Sequence, residues 1–315
     1  VLNVGGVVDL SPLGNVGNIL LLSQLGATIG DAFTDVLLGR AYPSGKLATT
    51  WAAWDEDDQI GDFGDPDDTH YREGIYVGYR FYDSTGKEPL LPFGFGLGYT
   101  TFDVQTRQVS LDGARVSIDV DVTNTGGYPG KETIQVYASV PAGRLDQPLQ
   151  ALAGFTKTDE IAPGATARIT VDVDLTDLAS YDEASHATIL EAGRYLLWAG
   201  TSSRQLSPVA VVELDQDATV RHLAGDLGEP GFTDWKPEAP ASLDIPAGLP
   251  VLAVDPADLR RPDSVEPDEQ AASEDLSEAL ALARGLCDDE LVHIVLGDYR
   301  RGEESGSIVG AASTT

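Results

Sequence analysis

A stretch rich in glycine and aromatic residues, residues 43–101, constrains the fold of this chain more than any other part of the sequence. It contains PSGKLATTWAAW, then a very acidic loop, then YREGIYVGYRFYD and PFGFGLGYTTF. Five of its glycines lie between aromatic residues, namely Gly74, Gly78, Gly94, Gly96 and Gly98. Glycine permits tight turns and close approach of two backbones, while aromatic rings supply anchoring surface. The pattern therefore predicts a seam at which two packed units meet.

Three motifs in this stretch resemble glycoside hydrolase family three, the β-glucosidase-like enzymes. PSGKL, EGIYVGYR and FGFGLGYTTF occur here in the order in which that family has them. The family usually has a serine before the residue that corresponds to Tyr99, whereas this chain has Gly98. The competing interpretation is a glycine-aromatic loop in an unrelated sheet protein. In the family these motifs close the second domain of the catalytic unit, so the resemblance implies part of a glycoside hydrolase.

The first hundred residues predict the end of an α/β domain. Residues 1–4, VLNV, are apolar except for Asn3, and we interpret them as a buried parallel strand. Residues 26–38 place apolar side chains at helical intervals, and Gly39 provides a stop. The resemblance implies that residues 1–100 are the C-terminal half of an αβα sandwich domain. Because the sequence contains no methionine and opens on an apolar strand, we expect a fragment that lacks the other half.

After Thr101 the hydrophobic period changes to two, which predicts an antiparallel β-sandwich of six or seven short strands. The predicted strands are FDVQTRQVSL, ARVSIDVDVTN, TIQVYASV, TARITVDVDL, RYLLWAGT and PVAVVEL. Turn residues separate them, as at Pro163-Gly164. The segments GKETIQVYASVP, LAGFTK and EAGRYLLWAGTSSR resemble the fibronectin type III-like domain of many family-three enzymes. The resemblance assigns residues 101–216 to that domain.

The last hundred residues predict two further segments. Residues 217–273 are rich in Pro, Asp and Glu, which is typical of a stiff, extended linker. An alternative stays open, in which Phe232, Trp235 and Leu249 dock on a neighbouring domain as an ordered strap. Residues 274–315 carry an amphipathic helical pattern with a second helix start at DDE, and LCDDELVHIVLGD and IVGAASTT resemble the start of the family's (β/α)₈ barrel. The predicted fold class is thus α/β plus all-β, with a truncated barrel at the end.

Charge and composition exclude several classes of partner. The formal net charge is −31 and the pI is about 4.1, so nucleic acid and anionic membrane surfaces would be repelled. The single cysteine, Cys287, excludes an internal disulfide and a cysteine-based metal cluster. No run approaches the ~20 apolar residues of a membrane helix, and no segment has the pattern of a signal peptide. We therefore expect no nucleic acid, no membrane and a cytoplasmic location.

No metal site or cofactor is predicted. In the acidic loop DEDDQIGDFGDPDD, residues 55–68, no frame places the oxygen ligands, the glycine and the final glutamate of an EF-hand. His70 has no second ligand at metal-site spacing, so polar packing is its predicted role.

The resemblance implies a retaining, exo-acting β-glycosidase, most simply a β-glucosidase, acting on β-glucosides or related oligosaccharides. Such enzymes need a nucleophilic carboxylate and an acid/base carboxylate about 5–5.5 Å apart. The family places both on segments outside this sequence, so we predict no catalytic residue here and an inactive fragment. Glu73 and Arg80, in the strongest motif, are predicted to fix the domain seam rather than to contact substrate. The alternative from another class is a non-catalytic carbohydrate-binding or cell-surface module.

Overall fold

The computed structural model describes residues 1–53, 69–141, 143–223, 231–238, 244–263, 281–287 and 290–291. The chain divides into two compact units, Val1–Asp263 and Ser264–Thr315. The boundary predicted near residue 100 lies inside the first unit, where the two predicted domains share many contacts. In the described ranges, no helix is long and apolar enough to cross a membrane.

The first hundred residues contain two short helices, α1 (Ile29–Leu37) and α2 (Tyr79–Thr85), and a 3₁₀ turn at Ser11–Leu13. The helix predicted in residues 26–38 is confirmed as α1. It ends where expected, because Gly39 takes a positive φ of 70° and its N–H donates to Val36 O at 3.0 Å.

The buried strand predicted at residues 1–4 is only partly present. Leu2 forms a parallel bridge with Leu21, in which Leu2 N–H donates to Leu20 O and Leu22 N–H to Leu2 O, both at 2.8 Å. Val1, however, is 69% exposed. The prediction of burial is therefore wrong for the described residues, because a parallel strand is buried only where other elements cover both of its faces.

The β-sandwich that follows has a three-stranded sheet, order β1-β2-β5, facing a five-stranded sheet, order β11-β9-β8-β3-β4. A small sheet, order β10-β7-β6, lies beside them. The strands in the described residues are β1 (Phe102–Asp112), β2 (Arg115–Asn124), β3 (Thr133–Ser139), β4 (Ala151–Lys157), β5 (Thr166–Asp174), β6 (Ser180–Asp182), β7 (Ala187–Leu190), β8 (Gly193–Ser202), β9 (Gln205–Leu214), β10 (Ala218–His222) and β11 (Val251–Ala253). All pairings are antiparallel except that of β11 with β9. The six predicted strands are confirmed as β1, β2, β3, β5, β8 and β9.

The core of the sandwich follows from the period-two pattern of its strands. On β2, the inward residues Val116, Ile118, Val120 and Val122 are fully buried. They pack against Val171 and Val173 of β5 and against inward residues of the five-stranded sheet. Since side chains alternate between faces, the residues between them are polar and lie on the outer face.

Part of the segment predicted as a linker is folded onto the sandwich. β10 and β11 lie within it, and a 3₁₀ turn at Pro256–Leu259 follows β11. Leu259 is fully buried in the core, and Arg261 pairs with Asp174 at 2.9 Å. Composition did not reveal this, because a three-residue strand and one anchoring leucine fold only by adding to an existing sheet and core.

The alternative to a linker was an ordered strap of Phe232, Trp235 and Leu249, and the first two of these residues pack on residues 70–81. Trp235 packs edge-on against Tyr76, with ring centroids 5.4 Å apart, and also contacts Phe81 at 5.3 Å. Trp235 N–H donates to Arg72 O at 2.6 Å. Phe232 contacts His70, with ring centroids 4.9 Å apart.

In the second unit, residues 281–284 and 290–291 are helical. Cys287 N–H donates to Glu290 Oε2 at 2.9 Å, and Leu291 N–H donates to Cys287 O at 3.0 Å. This is half of a capping box, and it supports the helix start predicted at DDE. The barrel-like segment IVGAASTT lies outside the described residues.

Candidate functional site at the glycine-aromatic seam

The seam is defined here as the surface along which residues 42–53 and 69–101 meet the β-sandwich. Its first part is a backbone ladder between the PSGKL segment and the PFGFG segment. Leu47 N–H donates to Phe95 O and Gly94 N–H donates to Leu47 O, both at 2.8 Å. Trp51 exchanges two hydrogen bonds of 2.9 Å with Leu91 and is only 3% exposed. The first and last motifs of the family resemblance therefore form one structure.

Two glycines of the last motif lie too close to this ladder to carry a side chain. A Cβ on Gly96 would lie 2.5 Å from Gly45 O, which is backbone and cannot rotate away. A Cβ on Gly98 would overlap the Tyr42 ring. The family usually has serine at this position, and here the Tyr42 ring fills the space that a side chain at residue 98 would need. This ring contacts Tyr99 and Phe102 edge-on, with ring centroids 6.4 Å apart in both cases.

Gly96→Ala should lower the free energy of unfolding by about 1–3 kcal/mol, because the added methyl group forces the two backbones apart. Urea unfolding followed by tryptophan fluorescence measures the change. The matched control is Gly127→Ala, since a Cβ at Gly127 meets nothing within 4 Å. Equal stability of both variants would contradict the close approach.

Lys46 of PSGKL joins this ladder to the sandwich. Its Nζ lies 2.8 Å from Glu132 Oε1 and donates to Gly96 O at 3.2 Å. The two charged side chains are 16% and 11% exposed, so the pair is largely shielded from water. Nearby, Lys157 of β4 donates to Ser44 O at 2.9 Å. Burial, followed by the neighbouring positive charge of Lys131, lowers the pKa of Lys157.

A second polar connection lies at helix α2. Arg204, in the turn between β8 and β9, places Nε 2.7 Å from Asp83 Oδ1, an ion pair whose N–H is not aligned with the oxygen. Gln150 Nε2 donates to Asp83 Oδ2 at 2.8 Å. Burial raises the pKa of the Asp83 carboxyl, and the hydrogen bond from Gln150 and the charge of Arg204 oppose that rise. Tyr79 OH, on the same helix, accepts from Leu152 N at 2.8 Å.

An open cleft of about 700 Å³ lies beside the seam. Tyr76 and Trp235 lie on one side of it, and Tyr76 OH donates to Asp146 Oδ1 at 2.6 Å. On the other side, Arg144 donates to both carboxylate oxygens of Asp182, at 2.7 and 3.1 Å. This pairing holds the pKa of Asp182 at about 2, below its ordinary 3.8, with the Arg144 hydrogen bond as the main cause.

Stability should therefore depend on the ionisation of Asp182. A lowered pKa means that the folded state favours the carboxylate, so this contribution is present above the ordinary pKa and is lost as pH falls from about 4 to 2. In urea titrations, the difference in unfolding midpoint between the wild type and Asp182→Asn should shrink across that interval. Asp35→Asn is the control, since Asp35 pairs with Arg40 at 3.7 Å on the surface. A difference for Asp182→Asn that does not change with pH would contradict the assignment.

The two residues singled out from sequence lie in this region, and the ion pairs that join seam and sandwich among the described residues do not include them. Glu73 lies in a turn, where its backbone O accepts from Tyr76 N at 2.8 Å. Arg80 lies in the first turn of α2 and lines the cleft. Their role at the seam stays a prediction. Sequence reasoning missed the ion pairs that connect seam and sandwich, which are Lys46 with Glu132 and Asp83 with Arg204. The lysine of the PSGKL motif was the one feature of the sequence that could have indicated such a pair.

No metal centre is found in the part of the chain that the structure describes. No group of three or more His, Cys, Asp or Glu side chains converges there. His70 packs against Phe232, in agreement with a packing role. The acidic loop, residues 55–68, lies outside the described residues.

The fold and the seam define an α/β segment with glycine-aromatic motifs that is locked onto a fibronectin-like sandwich. Residues 1–99 match the glycosyl hydrolase family 3 C-terminal domain, and residues 132–203 match the fibronectin type III-like domain. The chain therefore carries the C-terminal domain of glycosyl hydrolase family 3 and a fibronectin type III-like domain. The predicted family and fold class are confirmed.

Relatives match over about two thirds of this chain. Beta-glucosidase A of Butyrivibrio fibrisolvens is 39% identical over 232 residues, covering 65% of this chain and 28% of that protein. An exo-alpha-(1->6)-L-arabinopyranosidase of Bifidobacterium breve is 35% identical over 230 residues, covering 71% and 30%. The crystal structure of a beta-glucosidase from Paenibacillus barengoltzii superimposes with a TM-score of 0.67 at 34% identity, covering 71% of this chain and 26% of that one. This chain thus spans between a quarter and a third of the length of these relatives.

Proposed function

We propose that the protein is part of a retaining, exo-acting β-glucosidase-like hydrolase that releases terminal sugars from β-glycosides. The observation that carries this proposal is the 39% identity to a beta-glucosidase, in an alignment that covers 65% of this chain. The shielded Lys46–Glu132 pair supports it, because it fixes the motif segment rigidly on the sandwich. A rigid segment can position catalytic groups that the rest of the protein supplies, which must lie within a fraction of an ångström of their productive places.

In this proposal the chain positions the catalytic unit, and the two catalytic carboxylates lie outside residues 1–315. Among the Asp and Glu side chains of the described residues, Asp83 has a raised pKa, which is a property of a catalytic acid. Its carboxylate is however occupied by Arg204 and Gln150, and its side chain is only 3% exposed. Asp83 is therefore assigned a structural role.

The 315-residue chain alone should not hydrolyse an activated aryl β-glucoside. An activated leaving group tolerates the loss of the acid but not of the nucleophile, so turnover reports whether a nucleophile is present. The same chain produced together with the flanking parts of its open reading frame should be active. Turnover by the isolated chain that a single substitution within residues 1–315 abolishes would contradict the proposal.

A separate measurement is needed to identify the sugar that the enzyme releases. Relatives include arabinopyranosidases as well as glucosidases, at 35% and 39% identity. An aryl β-D-glucopyranoside and an aryl α-L-arabinopyranoside should be compared by kcat/KM in the extended protein. A higher kcat/KM for the glucoside supports the β-glucosidase assignment, and a higher value for the arabinoside overturns it while leaving the glycosidase class intact.

A further inference from the structure

A pocket of about 380 Å³ lies where helix α2 meets the sandwich. We propose that it binds a neutral pyranose unit of a glycan, with Trp198 as the stacking platform. Its volume lies near the lower end of the roughly 300–1,000 Å³ of small-molecule sites. Its lining residues combine apolar and polar side chains and include Leu149, Trp198, Leu206, Gln150, Ser203 and Arg204.

One wall of the pocket is apolar and fixed in orientation. Trp198 of β8 is half-buried, and its Nε1–H donates to Ser139 Oγ at 3.0 Å. Ser139 itself is 1% exposed. The indole ring is thereby held in place before a ligand arrives, which lowers the entropic cost of binding. Leu149 and Leu206 extend the apolar surface on which the C–H face of a pyranose ring can lie.

The other wall offers neutral hydrogen-bonding groups. Gln150 is 7% exposed, and its Nε2 donates to Asp83 Oδ2 and to Ser203 O, both at 2.8 Å. Its Oε1 accepts no hydrogen bond from the described residues. Ser203 Oγ is buried and likewise has no hydrogen-bond partner among them. A buried polar group without a partner carries a free-energy cost, and a rotation of the Ser203 side chain toward a ligand hydroxyl would remove it.

Two of the three charged side chains that line the pocket neutralise each other. Asp83 and Arg204 pair at 2.7 Å, and Arg204 Nη2 also donates to Lys87 O at 2.6 Å. Asp244, the third, is exposed to water, which screens its charge. A charged ligand would therefore gain little for its desolvation, whereas a polyhydroxylated ligand with an apolar face fits both walls.

The test is a titration of the 315-residue chain with methyl β-D-glucoside and cellobiose, followed by calorimetry and by saturation-transfer NMR. Wild-type binding should be lost, or weakened at least about tenfold, in Trp198→Leu, which removes the platform, and in Leu149→Trp, which fills the pocket. Trp235→Phe is the control, because Trp235 packs on Tyr76 instead. Circular dichroism establishes whether each variant is folded. If Trp198→Leu does not fold, the comparison of wild type with Leu149→Trp decides the test.

Three results would overturn the proposal. They are no binding by the wild-type chain, equal binding by wild type and both pocket variants, and tighter binding of glucuronate or glucosamine than of the neutral sugars. The measurement uses binding by this chain and requires no turnover, so its failure is distinguishable from failure of the proposed hydrolase function.

Discussion

Lys46→Met should lower the free energy of unfolding of the chain by about 3–5 kcal/mol, because it leaves a largely buried carboxylate without its cation. Glu132 is 11% exposed in its side chain, and Lys46 Nζ, at 2.8 Å, is the cation paired with it. Methionine keeps most of the length and apolar surface of the lysine side chain. The measured loss therefore reports the charge and its hydrogen bond to Gly96 O rather than a packing defect. Urea unfolding at neutral pH measures it.

Two further variants make this prediction specific. Arg40→Met removes the cation of an exposed pair, in which the side chains are 65% and 48% exposed, and should cost at most about 1 kcal/mol. The double variant Lys46→Met with Glu132→Gln should recover part of the stability, because the uncompensated charge is gone. If Lys46→Met and Arg40→Met had equal effects, Lys46 would not be a structural anchor of the seam.

Leu259→Ala should lower the free energy of unfolding by about 2–5 kcal/mol, although Leu259 lies in a segment whose composition is typical of a linker. Its side chain is fully buried. It lies among apolar residues of the sandwich core, which are Leu175, Leu178, Leu190, Tyr195, Val212, Leu214 and Val254. Truncation to alanine would leave a cavity that these residues, held by two sheets, can fill only in part.

Leu97→Ala is the matched control, because Leu97 is 79% exposed and the same truncation there should change stability by no more than about 0.5 kcal/mol. A chain of residues 101–263 should also unfold at a higher urea concentration than a chain of residues 101–216, which lacks β10, β11 and Leu259. If Leu259→Ala had the effect of Leu97→Ala, residues 251–261 would not belong to the folded unit in solution.

Strands with a clear alternating pattern could be predicted from sequence, whereas strands that depend on pairing with a neighbour could not. β2 and β5 alternate valine or isoleucine with polar residues, so the pattern alone predicts them. β4, with the sequence ALAGFTK, does not alternate clearly and was not predicted as a strand. It forms because β3 pairs along it, and because Gly154 lets it approach β5, where a Cβ would lie 2.6 Å from Asp172 O. β11 has three residues and exists by pairing with β9.

The sequence predicted that the seam exists but not which charged residues connect it to the sandwich. Glycines between aromatic residues indicated close backbone approach, and Gly96 lies against Gly45 O as that reasoning requires. Glu73 and Arg80 were selected because they are the charged residues of the strongest motif. The ion pairs that connect the seam to the sandwich instead use Lys46 and Asp83, whose partners Glu132 and Arg204 lie far away in the sequence.

The sequence by itself determined the family, the change from an α/β segment to a β-sandwich, and the inward faces of the main strands. These properties depend on local periodicity and on short motifs, both of which are formed by residues close together in the sequence. Only the tertiary structure decided which charges pair, which residues of the Pro-rich segment are buried, and that Trp198, Gln150 and Ser203 line one pocket. Each of these depends on contacts between residues distant in sequence, and the free energy of burying a charge or a leucine is fixed by the surroundings that those contacts create.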